Sequence, residues 1–239
     1  MSVPGAVVCL PTYNERENLE RMVRALGHKG VHVLVIDDSS PDGTGELADQ
    51  LAAERAWVSV LHRPRKEGLG PAYLAGFRQA LEDGAELVLQ MDCDFSHDPS
   101  DVPRLIAAAE AGADVALGSR YVRGGGIRNW GLHRRLLSRG ASIYTRLLLM
   151  PIHDASGGFK CFRREVLESI ELDRIDATGM VSFQVEVTYR ALRKGFRVVE
   201  VPIVFVDRTT GHSKMSRAVA FEAIWKVPRL RLAALRGRL

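Results

Sequence analysis

The chain has few cysteines, no long apolar run and no large excess of charge of either sign. Cys9, Cys93 and Cys161 give an odd count with no paired spacing. With no basic-plus-apolar leader at the N-terminus, that argues against a disulfide framework and predicts a reducing, cytoplasmic setting. No stretch approaches the ~18 apolar residues of a spanning helix, so no span is predicted. The net charge is +4, from 33 basic and 29 acidic residues. So mild a balance does not point to nucleic acid as a partner. Repeats and low-complexity tracts are absent as well. What is present, 239 residues that are 46% hydrophobic and 26% charged, suits one large soluble domain.

The most informative stretch runs from Glu86 to Pro99. Leu87 to Met91 is a short continuous apolar run bounded by turn formers, which predicts a buried strand of a parallel sheet. It ends in two carboxylates, Asp92 and Asp94. Ligands of open α/β sheets bind beyond the carboxyl ends of the strands. Two carboxylates so close repel each other unless a cation lies between them. Mg²⁺ or Mn²⁺ suits such a pair, since both take a few carboxylates, waters and phosphate oxygens. The alternative is a solvated acidic turn.

Strand and helix alternate through the first half. Ala6–Leu10 predicts a strand, broken at Pro11-Thr12-Tyr13-Asn14. Asn14 with Glu17 predicts a capping box, before Leu19, Met22, Val23 and Leu26 at helical spacing. A second strand, Val31–Ile36, ends in Asp37-Asp38. Thr44 then caps a helix with Leu47, Ala48 and Leu51 on its inner face, and Trp57–Leu61 is a third strand. The basic, glycine-bearing loop Arg63–Gly70 runs into a helix at Pro71 and could hold a phosphate or simply be solvated. A helix over about Ser100–Ala111 and a strand over Asp114–Gly118 follow. This alternation predicts a parallel, doubly wound sheet.

The pattern changes after Tyr121. Gly124-Gly125-Gly126 predicts a flexible joint. Leu132–Leu149 predicts a long helix with Leu132, Leu136, Leu137, Ile143, Leu147 and Leu148 on one side and Arg134, Arg135, Arg139 and Arg146 elsewhere. A short strand at Gly158–Phe162, a helix over about Ser182–Lys194 and a last strand over Arg197–Val206 complete the domain. The tail from Met215 has six basic residues against one acid, Glu222, and interleaves them with Phe221, Trp225 and leucines. It predicts a basic amphipathic segment for a membrane surface, split into two short helices by Pro228. Alternatively it packs on the domain or joins a separate membrane-spanning subunit.

Four strand ends therefore carry complementary groups. Pro11, Tyr13, Glu15, Ile36 and Asp38 suit a base and ribose. The acid pair suits a metal. Arg120, Arg208 and Lys214 suit a diphosphate. At this point the chain resembles the polyprenyl-phosphate (dolichyl-phosphate) mannose synthases, inverting members of glycosyltransferase family 2. The resemblance rests on Leu10-Pro11-Thr12-Tyr13-Asn14-Glu15, Ile36-Asp37-Asp38-Ser39-Ser40-Pro41-Asp42-Gly43-Thr44, Met91-Asp92-Cys93-Asp94-Phe95-Ser96-His97 and Gly118-Ser119-Arg120-Tyr121. Ser156-Gly157-Gly158-Phe159 belongs to the same resemblance, and Ser138-Arg139-Gly140-Ala141 and Asp207-Arg208 with Gly211-His212-Ser213-Lys214 point to the prenyl-phosphate subgroup.

The resemblance implies a single-domain GT-A fold over residues 1–214, a Rossmann-like, mostly parallel sheet with flanking helices. Residues 1–121 form the nucleotide-binding half, 122–214 the acceptor half, and 215–239 the tail. It implies that Pro11, Tyr13, Glu15, Ile36 and Asp38 hold guanosine. Asp92 and Asp94, with Ser96 where some relatives have Gln, bind Mg²⁺ or Mn²⁺, and the Cys93 backbone lies near the sugar nucleotide. Arg120, Arg208 and Lys214 hold GDP-mannose, while Arg134, Arg135 and Arg139 meet the acceptor phosphate. Gln184 and Glu186 are further acceptor-side candidates, or an ordinary first turn of helix. The implied reaction inverts the anomeric carbon at the cytoplasmic face of a membrane and gives a β-mannosyl phospholipid, with Asp92, Asp94 and Arg120 as the catalytic set. A glucosyl or other prenyl-phosphate transferase is the near alternative. Two other classes are an Asp-x-Asp phosphatase, disfavoured by Phe95-Ser96 and by the pair's place on the fourth strand, and a non-catalytic peripheral membrane module.

Overall fold

The structure, a computed structural model, describes residues 5–207 and 217–237. Its first half is β1 (Ala6–Thr12), α1 (Arg16–Gly27), β2 (His32–Asp37), α2 (Thr44–Glu54), β3 (Val58–His62), α3 (Leu69–Glu82), β4 (Leu87–Gln90), α4 (Val102–Glu110) and β5 (Val115–Ser119). Then come β6 (Gly126–Arg128), α5 (Leu132–Leu148), β7 (Lys160–Arg163), α6 (Arg164–Ser169), α7 (Met180–Arg193), β8 (Val198–Pro202), β9 (Val204–Val206) and α8 (Arg217–Leu235). Seven strands form one sheet in the order β3-β2-β1-β4-β7-β5-β8. All its pairings are parallel except those of β7, which lies antiparallel between β4 and β5. Helices cover both faces, so every residue of β2 is buried. That is why the interior strands read as unbroken apolar runs.

Helix α1 forms because Leu19, Met22, Val23 and Leu26 recur on one face, and all four are buried. Its start differs from the expected capping box. Asn14 has φ 59° and lies outside the helix, and Glu15 is the N-cap. The Glu15 amide instead donates to Thr44 Oγ1 at 3.1 Å, tying the first helix to the second. Thr44 is the first residue of α2 rather than its cap; its hydroxyl donates to Asp42 Oδ1. Helix α3 packs tightly on the sheet because of Gly76. A Cβ there would stand 2.4 Å from Ile36 Cδ1.

The triple glycine is not a joint. Gly126 begins β6, which pairs in parallel with β9, and a Cβ at Gly125 would stand 2.5 Å from the Ser119 carbonyl oxygen. The strand expected over Arg197–Val206 is two strands. Pro202 ends β8 opposite Ser119, where its lack of an N–H breaks the ladder, and β9 leaves for the small second sheet. Helix α6 has no counterpart in the sequence-based expectation.

Helix α5 turns its polar side inward. Its buried residues are Ser138, Ser142 and Thr145, whereas Leu132, Leu136, Leu137, Ile143 and Leu147 are exposed. The tail departs from the expected pair of short helices, since α8 runs unbroken through Pro228. A proline frees the carbonyl four residues before it. Here that carbonyl, on Ile224, accepts from Tyr144 Oη at 3.1 Å, which compensates the loss. Helix α8 packs on α5 and α7 and buries Val227 and Ala234, leaving Trp225 exposed. Among the described residues no helix is long and apolar enough to cross a membrane.

Candidate active site

Because β1, β2, β4 and β5 run the same way, the residues that follow them meet at one edge of the sheet. They line a cavity of about 410 Å³. Pro11, Tyr13, Glu15 and Asp38 form one wall. Lys66 places its Nζ 3.5 Å from the Tyr13 ring centroid. Asp38 is nearly buried and receives Arg63 Nη1 at 2.6 Å. Burial pushes its carboxyl above the usual range, against the pull of Arg63. Arg63 also reaches Glu67 at 2.7 Å, so the basic loop is bound to its own acids. Ile36 does not line the cavity; its side chain packs into the core against Gly76.

The loop after β4 forms the centre. Asp92, Cys93, Asp94, Ser96 and His97 all line the cavity. Phe95 has φ 59°, and this left-handed residue turns the loop back on itself. Asp92 Oδ1 accepts from Tyr73 Oη at 2.8 Å, and the Asp92 amide donates to His97 Nδ1 at 3.3 Å. Asp94 Oδ1 accepts from the Ser96 amide at 3.0 Å. His97 lies against Phe159 and Phe205, and burial lowers its pKa. An imidazole whose Nδ1 accepts from a backbone amide is neutral. The Cys93 thiol is pushed well up by burial and then by Glu15, Asp94 and Asp92, so it is no nucleophile.

Arg120 forms the third side. Its Nε and Nη2 grip Asp154 at 2.7 and 2.6 Å, its amide donates to the same carboxylate at 2.8 Å, and Nη2 also reaches Ser156 Oγ at 3.1 Å. Burial alone would lower the Arg120 pKa, but Asp154 outweighs it and leaves the guanidinium firmly charged. Arg134 lines the cavity too, bound to Asp207 at 2.7 Å and 4.0 Å from the Trp130 ring centroid. Arg135 and Arg139 do not line it. Both are exposed, and Arg135 donates to the Ile127 carbonyl. The lysine and arginine expected at 214 and 208, Lys214 and Arg208, lie outside the described residues.

Of the two α7 candidates, Gln184 lines the cavity and Glu186 does not. Glu186 is buried and bound to Arg190 Nε at 2.8 Å, which makes it part of the scaffold. Gln184 receives Lys160, a fully buried lysine whose pKa burial lowers to about 7. Tyr73, His97, Trp130, Asp154, Lys160, Phe205 and Asp207 have no role assigned from the sequence, and Lys66 enters there only as part of the basic loop. His97 lay inside the singled-out stretch. Asp154 carried no signal, because its partner is 34 residues away.

The donor set at the centre fits a hard divalent cation. Asp92, Asp94 and Ser96 are all oxygen donors, and among the described residues the buried Ser96 Oγ has no hydrogen-bond partner. No group of three or more His, Cys, Asp or Glu occurs there among the described residues. Two carboxylates and a hydroxyl leave room for phosphate oxygens and water, the pattern of a substrate-bridging Mg²⁺ or Mn²⁺ rather than a structural ion.

Comparison with known proteins agrees with the cavity. Residues 7–171 match the family described as Glycosyl transferase family 2. A polyprenol monophosphomannose synthase of Mycolicibacterium smegmatis is 51% identical over 98% of this chain and 88% of its own. An undecaprenyl-phosphate mannosyltransferase of Micrococcus luteus is 46% identical over 96% and 97%. A dolichol-phosphate mannosyltransferase of Pyrococcus furiosus is 38% identical over 93% of this chain and 62% of its own. Among solved structures, glucosyl-3-phosphoglycerate synthase from Mycobacterium tuberculosis superposes with a TM-score of 0.69 at 17% identity, over 95% of this chain and 80% of that one. A mannosyltransferase from Pyrobaculum calidifontis, solved with GDP-mannose and Mn²⁺, gives 0.61 at 18%, over 99% and 77%. At such identity these two carry the fold alone. The match over most of the sheet and the near full-length relatives establish that this chain belongs to glycosyltransferase family 2.

Proposed function

We propose that the protein transfers mannose from GDP-mannose to the phosphate of a polyprenyl lipid, inverting the anomeric carbon. The observation that carries the reading is a cavity with an acid pair between a nucleoside-sized wall and two arginines, in a chain 46–51% identical to two polyprenyl-phosphate mannosyl enzymes. In this reading Tyr13, Pro11, Glu15 and Asp38 hold the guanosine. Asp92, Asp94 and Ser96 hold Mg²⁺ or Mn²⁺, which when bound offsets the charge of the leaving diphosphate. Arg120, with Arg208 and Lys214, grips the diphosphate. Arg134 meets the acceptor phosphate, and Arg135 and Arg139 draw it in from the same helix.

A phosphate monoester is anionic near neutral pH and needs no strong general base. One of its oxygens attacks the anomeric carbon, the bond from that carbon to the diphosphate oxygen breaks, and GDP leaves with the electron pair. The residues hold two anions in line and neutralise one. His97 lines the cavity, packed against Phe159 and Phe205.

The acceptor's chain lies in hydrocarbon, and α5 is suited to reach it. Arg134 and Ser138 face the cavity while Leu132, Leu136, Leu137, Ile143 and Leu147 face outward, with Arg135, Arg139 and Arg146 exposed among them. Apolar residues ringed by cations fit an anionic bilayer surface, the cytoplasmic one in this reading. Trp225, Ile224 and Leu232 of α8, which packs on α5, are exposed as well. Leu136→Asp with Leu147→Asp should cut cosedimentation with phosphatidylglycerol vesicles about tenfold and leave GDP-mannose binding unchanged. Undiminished vesicle binding would move the membrane contact away from α5.

The reaction is tested by incubating the protein with radiolabelled GDP-mannose or UDP-glucose and a polyprenyl phosphate in vesicles. Label from GDP-mannose should pass to lipid, and NMR of the intact glycolipid should show the β anomer. Transfer from UDP-glucose alone would replace mannose with glucose. No lipid-linked label from either donor would remove the assignment.

A further inference from the structure

A lysine with no exposed surface is a costly thing to place in a sheet. Lys160 is one, on β7 between β4 and β5, opposite Gln90 and Leu117 across the two ladders. Its Nζ donates to two acceptors on one residue, the Gln184 carbonyl at 3.0 Å and Gln184 Oε1 at 2.6 Å. The second contact is as short as a charge-assisted bond. In both contacts Lys160 Nζ is the donor, and the amide atom that accepts is Gln184 Oε1. The Gln184 nitrogen is thereby turned the other way. It lies beside Gly158 and His97, since a Cβ added at Gly158 would stand 3.6 Å from both Gln184 Nε2 and His97 Cε1. Gln184, Gly158 and His97 all line the cavity.

We propose that Lys160 is a positioning residue that locks the Gln184 side chain so that its amide hydrogens point at a hydroxyl of the transferred sugar, making Gln184 a sugar-selecting residue. The inference rests on the proposed glycosyl transfer and adds the part of the substrate that Gln184 reads. A neutral amide suits a neutral hydroxyl, whereas the anionic groups have Arg120 and Arg134. His97, next to the Gln184 nitrogen, bonds the Asp92 amide, so the amide hydrogens lie on the side of the cavity where the diphosphate and its sugar meet. A donor lacking that hydroxyl leaves a nearly buried amide unpaired, and this is where selectivity becomes large.

The test is a substrate–enzyme cycle. Gln184→Glu keeps the contact to Lys160 as an ion pair but removes both N–H donors. Turnover is measured with GDP-mannose and with its 2-, 3-, 4- and 6-deoxy analogues, against one polyprenyl phosphate. Gln184→Glu should lower kcat/KM for GDP-mannose about 100-fold. For one analogue, the one lacking the contacted hydroxyl, variant and wild type should turn over alike. Lys160→Met leaves Gln184 in place but unlocked, and should narrow the same discrimination while circular dichroism stays native. Equal losses on all five donors, a loss confined to the KM for the lipid, or an unchanged discrimination in Lys160→Met would each overturn the inference. Wild-type turnover of GDP-mannose reports on the proposed function separately, since the inference is read only from ratios to wild type.

Discussion

Asp92→Asn and Asp94→Asn should each lower transfer by about 1,000-fold or more, which is about 4 kcal/mol of transition-state stabilisation. Asparagine matches aspartate in shape and keeps an oxygen for the existing bonds. Asp92 still accepts from Tyr73, and Asp94 still accepts from the Ser96 amide, so the loop keeps its form. Only the charge that would hold Mg²⁺ or Mn²⁺ against the diphosphate goes. The melting temperature should therefore stay within a few degrees of wild type. Excess EDTA should abolish wild-type activity, and Mn²⁺ or Mg²⁺ should restore it. Mn²⁺ affinity measured by electron paramagnetic resonance should fall in both variants. Full turnover in EDTA, or in either variant, would remove the metal from the reaction.

The second large effect concerns a residue that contacts no substrate in the proposed reaction. Asp154 is fully buried and receives three N–H groups of Arg120. Breaking a buried pair by neutralising one partner costs about 3–5 kcal/mol, because the other charge stays buried without compensation. For a chain of this size that lowers the melting temperature by about 10 °C. Asp154→Asn should also lose about 100-fold in transfer, since Arg120 is no longer aimed by a two-point grip. Arg120→Lys should lose activity comparably, as a point charge cannot reproduce the fork. The readout is paired calorimetry and kinetics at saturating lipid. If Asp154→Asn melts and turns over like wild type, the pair neither supports the fold nor aims the arginine.

Much of this was readable before any coordinates. The apolar runs of β2 and β4 had to be interior parallel strands, and in a parallel sheet their terminal acids had to share one edge. That placed Asp38, Asp92 and Asp94 together although 54 residues separate the first from the second. Helix α1 was equally plain, because its buried face repeats within 12 residues. Each of these features depends on neighbours along the chain, and spacing in the sequence records such neighbours directly.

The tertiary structure decided which side of α5 is buried, and it chose the serines and the threonine over the leucines. Spacing shows that a helix has an apolar side, but only the surroundings determine whether that side meets the core or solvent. Pro228 fails to break α8 for the same reason: its freed carbonyl is answered by Tyr144, 80 residues from Ile224. Arg120 with Asp154, Tyr73 with Asp92 and Lys160 with Gln184 are likewise meetings between elements. The antiparallel insertion of β7 between β4 and β5 sets the last of them, and no local pattern encodes it. The sequence by itself determined the strands of the first half, β1 to β5, their alternation with helices and the acids at their ends, since these follow from local periodicity and chain direction. The partners that orient those groups were decided by packing, because a buried charge is satisfied by whichever element the whole fold brings beside it.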